Sequence, residues 1–421
     1  MNIYNNNYAE LKTHYDETYN KDKSTYKNSN DEPTPIGCIE EMLEKIPQSA
    51  WNPKMKILDP CCGNGNFHLY AWNKLKELGI DDEDIVKNNL FFNDINFKRL
   101  ENVRQVYGED SNITLFDFLR YPEDEKYDII YANPPYAKFT KEGKRASKNH
   151  TMVRDFLDKS LKMLKTGGFL VYIIPDNWMS LADRNLVIKE LTANQILHLN
   201  IHGAKKWFPK IGSSFTWMVL EKKAPYKDTR VECRFQSKEY TSNIRMSKRS
   251  FVPLLWTKEV RSIFSKTIDK VNQKYAVQTS SDLHKYTKKK LISDTKTHEF
   301  SHKLIHTPST TVWANRKHKF QDGYKCFIST TSYYGTFVDD CGMTQSIAFI
   351  RCKDKTEAGE IKSILDHDLY KFLNNVCRWG NFNNIRILQK FPVPKDANSI
   401  YDSFGITADE IDFIEKVLKK T

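Results

Sequence analysis

Two short motifs constrain the fold of this chain more than any other feature. Residues 59–67 read Asp-Pro-Cys-Cys-Gly-Asn-Gly-Asn-Phe and connect an apolar run to a stretch with helical spacing. Residues 133–136 read Asn-Pro-Pro-Tyr and follow a later apolar run. In an open parallel sheet, ligands bind beyond the carboxyl ends of the strands. The pairing therefore predicts two functional loops at the same edge of one parallel sheet.

Strands and helices alternate between residues 32 and 222. Short apolar runs predict the strands, and stretches with helical spacing separate them. The predicted strands cover residues 55–58, 90–92, 113–116, 127–132, 169–174, 196–201 and 215–220. Such alternation is typical of an α/β fold in which helices cover both faces of a parallel sheet.

Length and charge predict more than one domain. A chain of 421 residues is too long for one ordinary core. Residues 221–421 hold 36 Lys and Arg against 23 Asp and Glu, whereas residues 1–220 hold 29 against 30. We expect a flexible arm over residues 1–30, an α/β domain over 31–223 and a basic domain over 224–421. The basic domain favours a polyanionic partner, and a merely Lys-rich surface is the alternative.

The cysteines and the N-terminus predict the cellular setting. The eight cysteines form no C-x-x-C pair, so we expect no metal site. The N-terminus is polar, and no run of 18 apolar residues occurs. We therefore expect a cytoplasmic protein with reduced thiols and no membrane partner.

Four polar residues each stand at the end of a predicted strand: Asp59, Asp94, Asp117 and Asn133. A single strand-terminal Asp is usually a turn former or a helix cap, but four beside a glycine-rich turn favour a ligand site. Gly63 and Gly65 permit a tight turn and close approach of the backbone to a ligand. The turn lacks the third Gly of a dinucleotide fingerprint and the Gly-Lys-Ser/Thr of a phosphate loop. A ligand without phosphates is therefore favoured.

The carboxylates suit a nucleoside that carries an amino acid. Asp59 is expected to orient a cationic amine, and Asp94 is placed to accept hydrogen bonds from ribose hydroxyls. Asp117 would accept a hydrogen bond from an adenine amino group. Phe92 and Phe116 are candidates for sandwiching a purine, although periodicity alone predicts both as core.

The motif at residues 133–136 suits activation of an amine. An adenine amino group is a poor nucleophile because its lone pair is delocalised into the ring. The Asn133 side-chain oxygen and the Pro134 carbonyl would hold the two amino hydrogens and aim the lone pair at a methyl group. Pro134 and Pro135 stiffen the loop, and Tyr136 is expected to stack on the target ring. An ordinary Pro-Pro turn is the alternative.

Residues 32–222 resemble the S-adenosylmethionine-dependent adenine-N6 DNA methyltransferases of the restriction-modification type, with the target-recognition domain last. The resemblance implies a Rossmann-like, seven-stranded, mostly parallel sheet followed by a mixed α+β domain. It also implies S-adenosylmethionine as cofactor and a flipped adenine in duplex DNA as substrate. The implied cofactor-binding residues are Thr34, Asp59, Pro60, Gly63, Gly65, Phe67, Asp94, Ile95, Asp117, Phe118, Asn133 and Phe156. The implied catalytic residues are Asn133, Pro134, Pro135 and Tyr136, with Tyr136 and Phe208 stacking on the target base.

The basic domain is expected to contact DNA phosphates and to read the grooves. The loop after Tyr136 is expected to order on DNA. Its candidate residues are Lys138, Lys141, Lys144 and Arg145. Any single basic residue elsewhere is typical of a solvated surface charge, so the other candidates are named as a set. They are Arg245, Arg249, Lys288, Lys289, Arg316, Lys317, Arg378 and Arg386. We expect a monomer, and a separate cognate restriction endonuclease is a possible partner.

Other substrates stay open at this point. The Asn-Pro-Pro-Tyr loop also occurs in RNA adenine-N6 methyltransferases and in enzymes that methylate a glutamine amide at N5. Charge does not distinguish DNA from RNA, whereas the long basic half after the sheet argues against the glutamine enzymes. Cytosine-N4 enzymes more often begin the loop with Ser. A catalytically dead DNA-binding specificity subunit is disfavoured by the intact residues of both motifs.

Overall fold

The computed structural model describes residues 1–22, 24, 32–136, 151–183, 185–212, 214–247, 249–269, 273–331 and 333–419. The chain divides into two units. Unit 1 comprises Met1–Trp178, Leu186–Arg234 and Glu239–Arg249. Unit 2 comprises Met179–Asn185, Phe235–Lys238 and Ser250–Thr421. None of the helices in the described ranges combines the length and the apolar character needed to cross a bilayer.

A nine-stranded sheet with the order β3-β2-β1-β4-β5-β7-β6-β8-β9 organises unit 1. Its strands are β1 (Ile57–Asp59), β2 (Leu90–Asp94), β3 (Asn112–Leu115), β4 (Tyr127–Ala132), β5 (Leu164–Pro175), β6 (Gln195–Ile201), β7 (Phe215–Glu221), β8 (Thr229–Phe235) and β9 (Lys238–Ile244). Strands β3, β2, β1, β4 and β5 are parallel, and β7 runs antiparallel to both β5 and β6. The expected α/β fold with a mostly parallel sheet is therefore confirmed.

The predicted count of seven strands is too low, because β8 and β9 follow residue 223 and extend the same sheet. No helix separates β7, β8 and β9. The turn between β8 and β9 is Gln236-Ser237, with φ of 48° and 64°, as a tight hairpin requires. The strand-helix alternation thus ends before the sheet does, and the sheet continues past the predicted domain boundary.

The helices of unit 1 are α1 (Tyr8–His14), α2 (Ile36–Leu43), α3 (Asn66–Glu77), α4 (Asp82–Asp84), α5 (Phe97–Tyr107), α6 (Thr151–Met163) and α7 (Leu186–Ala193). Helix α3 begins directly after the glycine-rich turn, and Leu69, Trp72 and Leu75 bury its apolar face. Strand β1 pairs with β2 on one side and with β4 on the other. The strand order reverses there, and ligands bind at such a point in open α/β sheets.

The N-terminal segment differs from the expected flexible arm. Residues 8–19 form α1 and a following π-helical turn, Tyr15–Tyr19. Leu11 and Tyr15 are fully buried in the same core as the sheet residues. Their i, i+4 spacing forms a short apolar stripe within a polar composition, and composition alone conceals it. Residues 23 and 25–30 of the predicted arm lie outside the described residues.

Unit 2 contains two four-stranded sheets with the orders β10-β17-β14-β15 and β11-β13-β12-β16. The strands are β10 (Gln278–Thr279), β11 (Ile292–Ser293), β12 (His302–Thr307), β13 (Thr310–Ala314), β14 (Lys325–Ser329), β15 (Thr336–Asp339), β16 (Gly342–Met343) and β17 (Ile347–Arg351). The helices are α8 (Lys258–Lys266), α9 (Lys355–Leu365), α10 (Asp368–Asn375), α11 (Ile385–Leu388), α12 (Ile400–Phe404) and α13 (Ala408–Leu418). Unit 2 is thus a mixed α and β structure.

Candidate active site

A cavity of about 800 Å³ lies in unit 1, beyond the carboxyl ends of β1, β2 and β4. Both sequence motifs contribute to its wall. The cavity is lined by Thr34, Asp59, Pro60, Gly63, Phe67, Asp94, Ile95, Asp117, Phe118, Asn133 and Phe156, together with Pro135 of the second motif. Of the predicted cofactor-binding residues, only Gly65 is not part of this lining.

The two glycines of the first motif have different tasks. Gly63 donates its backbone N–H to Asp94 Oδ2 at 2.9 Å. Gly65 precedes α3 with φ of 86°, and a Cβ there would lie 2.9 Å from the Tyr107 ring. Gly63 therefore shapes the cavity wall, whereas Gly65 lets the chain turn tightly beneath it.

Asp94 is held in one orientation by its neighbours. Besides the Gly63 bond, its Oδ1 accepts a hydrogen bond from the Asn96 backbone N–H at 2.8 Å. Arg99 Nη1 lies 3.8 Å from Asp94 Oδ2, and both side chains are buried. Arg99 was not predicted from the sequence. Its position early in the helix after β2, five residues beyond Asp94, could have indicated that it lies near this carboxylate.

Asp59 is a buried carboxylate, 1% exposed, that accepts a hydrogen bond from the Cys61 backbone N–H at 3.1 Å. Burial raises the pKa of Asp59 well above its usual value, Asp94 raises it further, and the Cys61 N–H opposes both. No Lys, Arg or His among the described residues forms an ion pair with Asp59. A ligand that brings a positive charge beside Asp59 would therefore offset its unfavourable burial.

Aromatic rings form the apolar part of the cavity wall. Phe118 and Phe156 are buried, with ring centroids 5.3 Å apart and planes tilted by 39°. Asp117 is half-exposed and accepts a hydrogen bond from the Leu119 backbone N–H at 3.1 Å. Phe92 lies in the core against Tyr107 and His68 instead.

Phe116 is 43% exposed, and its ring is 6.4 Å from that of Tyr121. Neither Phe92 nor Phe116 lines the cavity. The aromatic pair that lines it is Phe118 and Phe156 rather than Phe92 and Phe116.

The side chain of Asn133 is oriented from both ends. Its Nδ2 donates to Thr34 Oγ1 at 3.2 Å, and its Oδ1 accepts from the Tyr136 hydroxyl at 2.6 Å. The Cys61 thiol donates to the Asn133 carbonyl at an S···O distance of 3.7 Å. Residues of the first motif and of the segment before α2 thus hold the asparagine at the cavity wall.

Three aromatic side chains cluster on the other side of the second motif. The Tyr136 ring lies 5.9 Å from that of Phe215, and the Phe208 ring lies 5.5 Å from it. The structure therefore brings Tyr136 and Phe208 together through Phe215, the first residue of β7. Phe215 was read only as a strand residue, and nothing in the sequence marked it further.

The DNA-binding candidates are largely engaged within the chain. Arg316 Nη2 lies 2.7 Å from Asp282 Oδ1, and the Arg316 hydrogen bonds lower the pKa of Asp282 to about 2. The remaining contacts are Lys317 with Asp322 at 3.1 Å, Arg386 with Asp183, Lys288 with the Asp282 carbonyl at 2.6 Å, Arg245 with the Pro225 carbonyl at 2.8 Å, and Arg378 over the Tyr333 ring at 5.4 Å.

Arg249 is half-buried, whereas Lys289 is exposed in a short 3₁₀ turn and forms no ion pair with any described residue. Lys138, Lys141, Lys144 and Arg145 lie outside the described residues. Within the described ranges, no group of three or more His, Cys, Asp or Glu side chains is arranged to hold a metal ion.

The segment that contains both motifs matches a known protein family. Residues 52–208 match the Eco57I restriction-modification methylase family. This segment contains both motif loops and resembles methyltransferases of the restriction-modification type. The inferred resemblance to DNA methyltransferases of the restriction-modification type is thereby confirmed.

Curated relatives extend this finding. The Type II methyltransferase M.VspI of Vibrio sp. (strain 343) is 30% identical over 205 residues, which are 46% of this chain and 48% of that protein. The Type II methyltransferase M.TthHB8I of Thermus thermophilus is 29% identical over 174 residues, covering 37% and 36% of the two chains. The chain thus spans about half or less of the curated relatives that it matches.

Two solved structures share the fold along nearly the whole chain. The cryo-EM structure of a DrdV–DNA complex is 11% identical, with a TM-score of 0.56, and covers 98% of this chain and 59% of that one. The Type IIL restriction-modification enzyme MmeI in complex with DNA is 10% identical, with a TM-score of 0.53, covering 98% and 73%. At these identities the likeness concerns the fold alone.

Proposed function

We propose that this chain is an S-adenosylmethionine-dependent DNA methyltransferase that modifies the N6 amine of a flipped adenine in duplex DNA. The observation that carries the proposal is the position of Asn133. Its amide is oriented by Thr34 and Tyr136, and it lines the same cavity as the carboxylates of Asp59 and Asp94.

The donor set of the cavity suits S-adenosylmethionine, which supplies a methyl group on a positively charged sulfonium. Asp59 is buried without a cationic partner among the described residues, so a ligand ammonium group would stabilise its ionised form. Asp94 is fixed by two backbone N–H groups and presents a carboxylate for ribose hydroxyls.

Phe118 and Phe156 provide an apolar wall for a purine, and Asp117 beside them can accept from its amino group. This half of the cavity suits the adenosine part of the ligand, whereas Asp59 suits the amino-acid part. The combination favours a nucleoside that carries an amino acid over a nucleotide, because the glycine-rich turn lacks the signature of a phosphate loop.

Asn133 would activate the target amine by accepting its hydrogens. The Asn133 Oδ1 and the Pro134 carbonyl would each hold one amino hydrogen, which localises the nitrogen lone pair for attack. The Tyr136 hydroxyl donates to the same Oδ1. Because an amide oxygen has two lone pairs, Oδ1 can accept an amino hydrogen while this bond is kept.

The aromatic cluster suits a base removed from the stack. Flipping a base costs a few kcal/mol, and stacking on aromatic side chains contributes roughly 1–3 kcal/mol per base. The rings of Tyr136 and Phe208 both lie against the Phe215 ring and would offset the flipping cost by stacking on the base.

Charge and relatives support duplex DNA as the substrate class. Residues 221–421 carry 13 more basic than acidic residues. The fold relatives DrdV and MmeI are described as complexes with DNA. One curated relative, RM.BcgI of Heyndrickxia coagulans, is described as a restriction enzyme and methyltransferase. It is 29% identical over a segment that covers 34% of this chain and 25% of the RM.BcgI chain. A cognate restriction endonuclease is therefore part of the proposal.

The test offers methyl-labelled S-adenosylmethionine with one of three acceptors: unmethylated duplex DNA, structured RNA or a release-factor protein. We expect label in duplex DNA alone. Label in RNA would assign the same chemistry to an RNA adenine, and label in protein would assign it to a glutamine amide. Either result would contradict the proposed substrate.

A further inference from the structure

The N-terminal segment, residues 1–22, is anchored to unit 1 along its length. The Ile3 backbone N–H donates to the Val106 carbonyl at 2.9 Å. Lys12 Nζ lies 2.7 Å from Glu40 Oε2. The Leu11 side chain is also completely buried, so the segment is an integral part of the fold.

One residue of this segment reaches the glycine-rich turn of the cavity. The Tyr15 hydroxyl donates to the Asn64 carbonyl at 2.8 Å, in a fully buried position. The next carbonyl, that of Gly65, accepts from the Tyr107 hydroxyl at 2.8 Å. Two consecutive carbonyls of the turn are thus satisfied by tyrosine hydroxyls, and buried carbonyls strongly require such donors.

A second path runs from the segment to the catalytic asparagine. Asn66 Nδ2 donates one hydrogen bond to Asn20 Oδ1 at 2.8 Å and another to the Thr34 carbonyl at 2.9 Å. Both hydrogens of this amide are therefore used. Thr34 in turn accepts from Asn133 Nδ2 through its hydroxyl at 3.2 Å. Asn20, Asn66, Thr34 and Asn133 form a continuous chain of contacts.

We propose that two residues of the N-terminal segment, Tyr15 and Asn20, position the cavity for its cofactor. The inference rests on the proposed function, because it names the cofactor cavity as the thing positioned. Tyr15 fixes the backbone of the glycine-rich turn, whose Gly63 N–H in turn holds Asp94. Asn20 acts through Asn66 and Thr34 on the orientation of Asn133. Neither residue contacts the reacting atoms.

The test compares two Tyr-to-Phe variants of the full chain. Tyr15→Phe keeps the buried ring and removes the hydroxyl, which holds the Asn64 carbonyl and also hydrogen-bonds the Tyr107 side chain. Tyr8→Phe is the matched control, because Tyr8 lies in α1 and donates its hydroxyl to Glu40 at 2.9 Å, away from the turn. Affinity for S-adenosylmethionine is measured by isothermal titration calorimetry, and affinity for duplex DNA by fluorescence anisotropy.

We expect Tyr15→Phe to raise the cofactor Kd about five- to tenfold, with DNA affinity unchanged. Tyr8→Phe should bind the cofactor as the wild type does. Equal cofactor affinity in the wild type and both variants would overturn the positioning role. Failure of the wild type itself to bind S-adenosylmethionine would instead overturn the proposed function.

Asn20→Ala provides an independent readout through the second path. We expect its methyl-transfer rate at saturating cofactor and DNA to fall about threefold, because Asn133 loses part of its orientation. A lower melting temperature with an unchanged saturated rate would show a structural role only and would overturn this half of the proposal.

Discussion

Asp59 and Asp94 in unit 1 and Arg316 in unit 2 are held in different ways. In unit 1, Asp59 is buried without a cationic partner among the described residues, and Asp94 is held by two backbone N–H groups. In unit 2, Arg316 is already neutralised by Asp282. A buried carboxyl group without a cationic partner marks a candidate place for a ligand, whereas a compensated surface charge contributes little to recognition of a partner. In unit 1, individual charged residues therefore identify the candidate site. In unit 2, only the excess of basic over acidic residues points to a partner.

The largest expected effect separates chemistry from binding within unit 1. Asn133→Ala removes the acceptor for the target amine, so methyl transfer should fall by about 10²–10³-fold. The cofactor Kd should stay within about twofold, because the carboxylates are untouched. Rates and calorimetric titrations are compared with those of Asn73→Ala, which removes an amide on the α3 surface. Unchanged activity in Asn133→Ala would refute the role of the second motif.

A smaller effect separates the cofactor cavity from the basic unit. Asp94→Ala removes a charged acceptor, so the cofactor Kd should rise about 10–100-fold while DNA affinity stays the same. The exposed Asp110→Ala is the control for loss of a surface carboxylate. The reverse pattern, weakened DNA binding with intact cofactor binding, would place the cofactor elsewhere.

Within unit 2, we expect exposed cations without an ion pair to contribute more to DNA binding than cations that are ion-paired. Lys289→Ala should weaken DNA binding roughly two- to fivefold and reduce the salt slope of binding by about 1. Arg316→Ala should change DNA binding less and instead lower stability by about 0.2–1 kcal/mol. Titrations at several salt concentrations and thermal melts measure both. If Arg316 contributed to DNA binding as much as Lys289, pairing would not distinguish the two classes of cation.

The smallest effect concerns the stability of the cofactor-free protein. Because the pKa of Asp59 is raised in the folded state, the folded protein binds more protons than the unfolded chain above the ordinary pKa of about 3.9. Its contribution to stability therefore decreases as pH rises through the raised pKa. Asp59→Asn should melt about 2 °C higher than the wild type at pH 7, and the difference should vanish at low pH.

The same variant should bind the cofactor about tenfold more weakly, because the ammonium group loses its counter-charge. Thermal melts across pH and calorimetry provide both readouts. A variant that melts lower at pH 7, or binds the cofactor normally, would contradict the assignment of Asp59.

The sequence predicted the cavity well because strand ends meet at one edge of a parallel sheet. The predicted strand positions were sufficient to place four residues together at that edge: Asp59, Asp94, Asp117 and Asn133. Arg99 stayed hidden because its relation to Asp94 depends on how the following helix begins.

Other features depend on contacts that the sequence does not display. Phe215 gains its place by pairing across the sheet, and Tyr15 by long-range packing. The end of the sheet was misplaced because a loop without a helix leads to β8 and a tight turn leads to β9. The local pattern therefore predicted which strand-end residues line the cavity, and it missed residues whose positions depend on tertiary contacts.

Product identity tests the central claim most directly. The chain and its Asn133→Ala variant are expressed in a host that lacks DNA methylation, and the nucleosides of the host DNA are analysed by mass spectrometry. We expect N6-methyladenine with the wild type and none with the variant. N4-methylcytosine, or N6-methyladenine at the same level with Asn133→Ala, would contradict it.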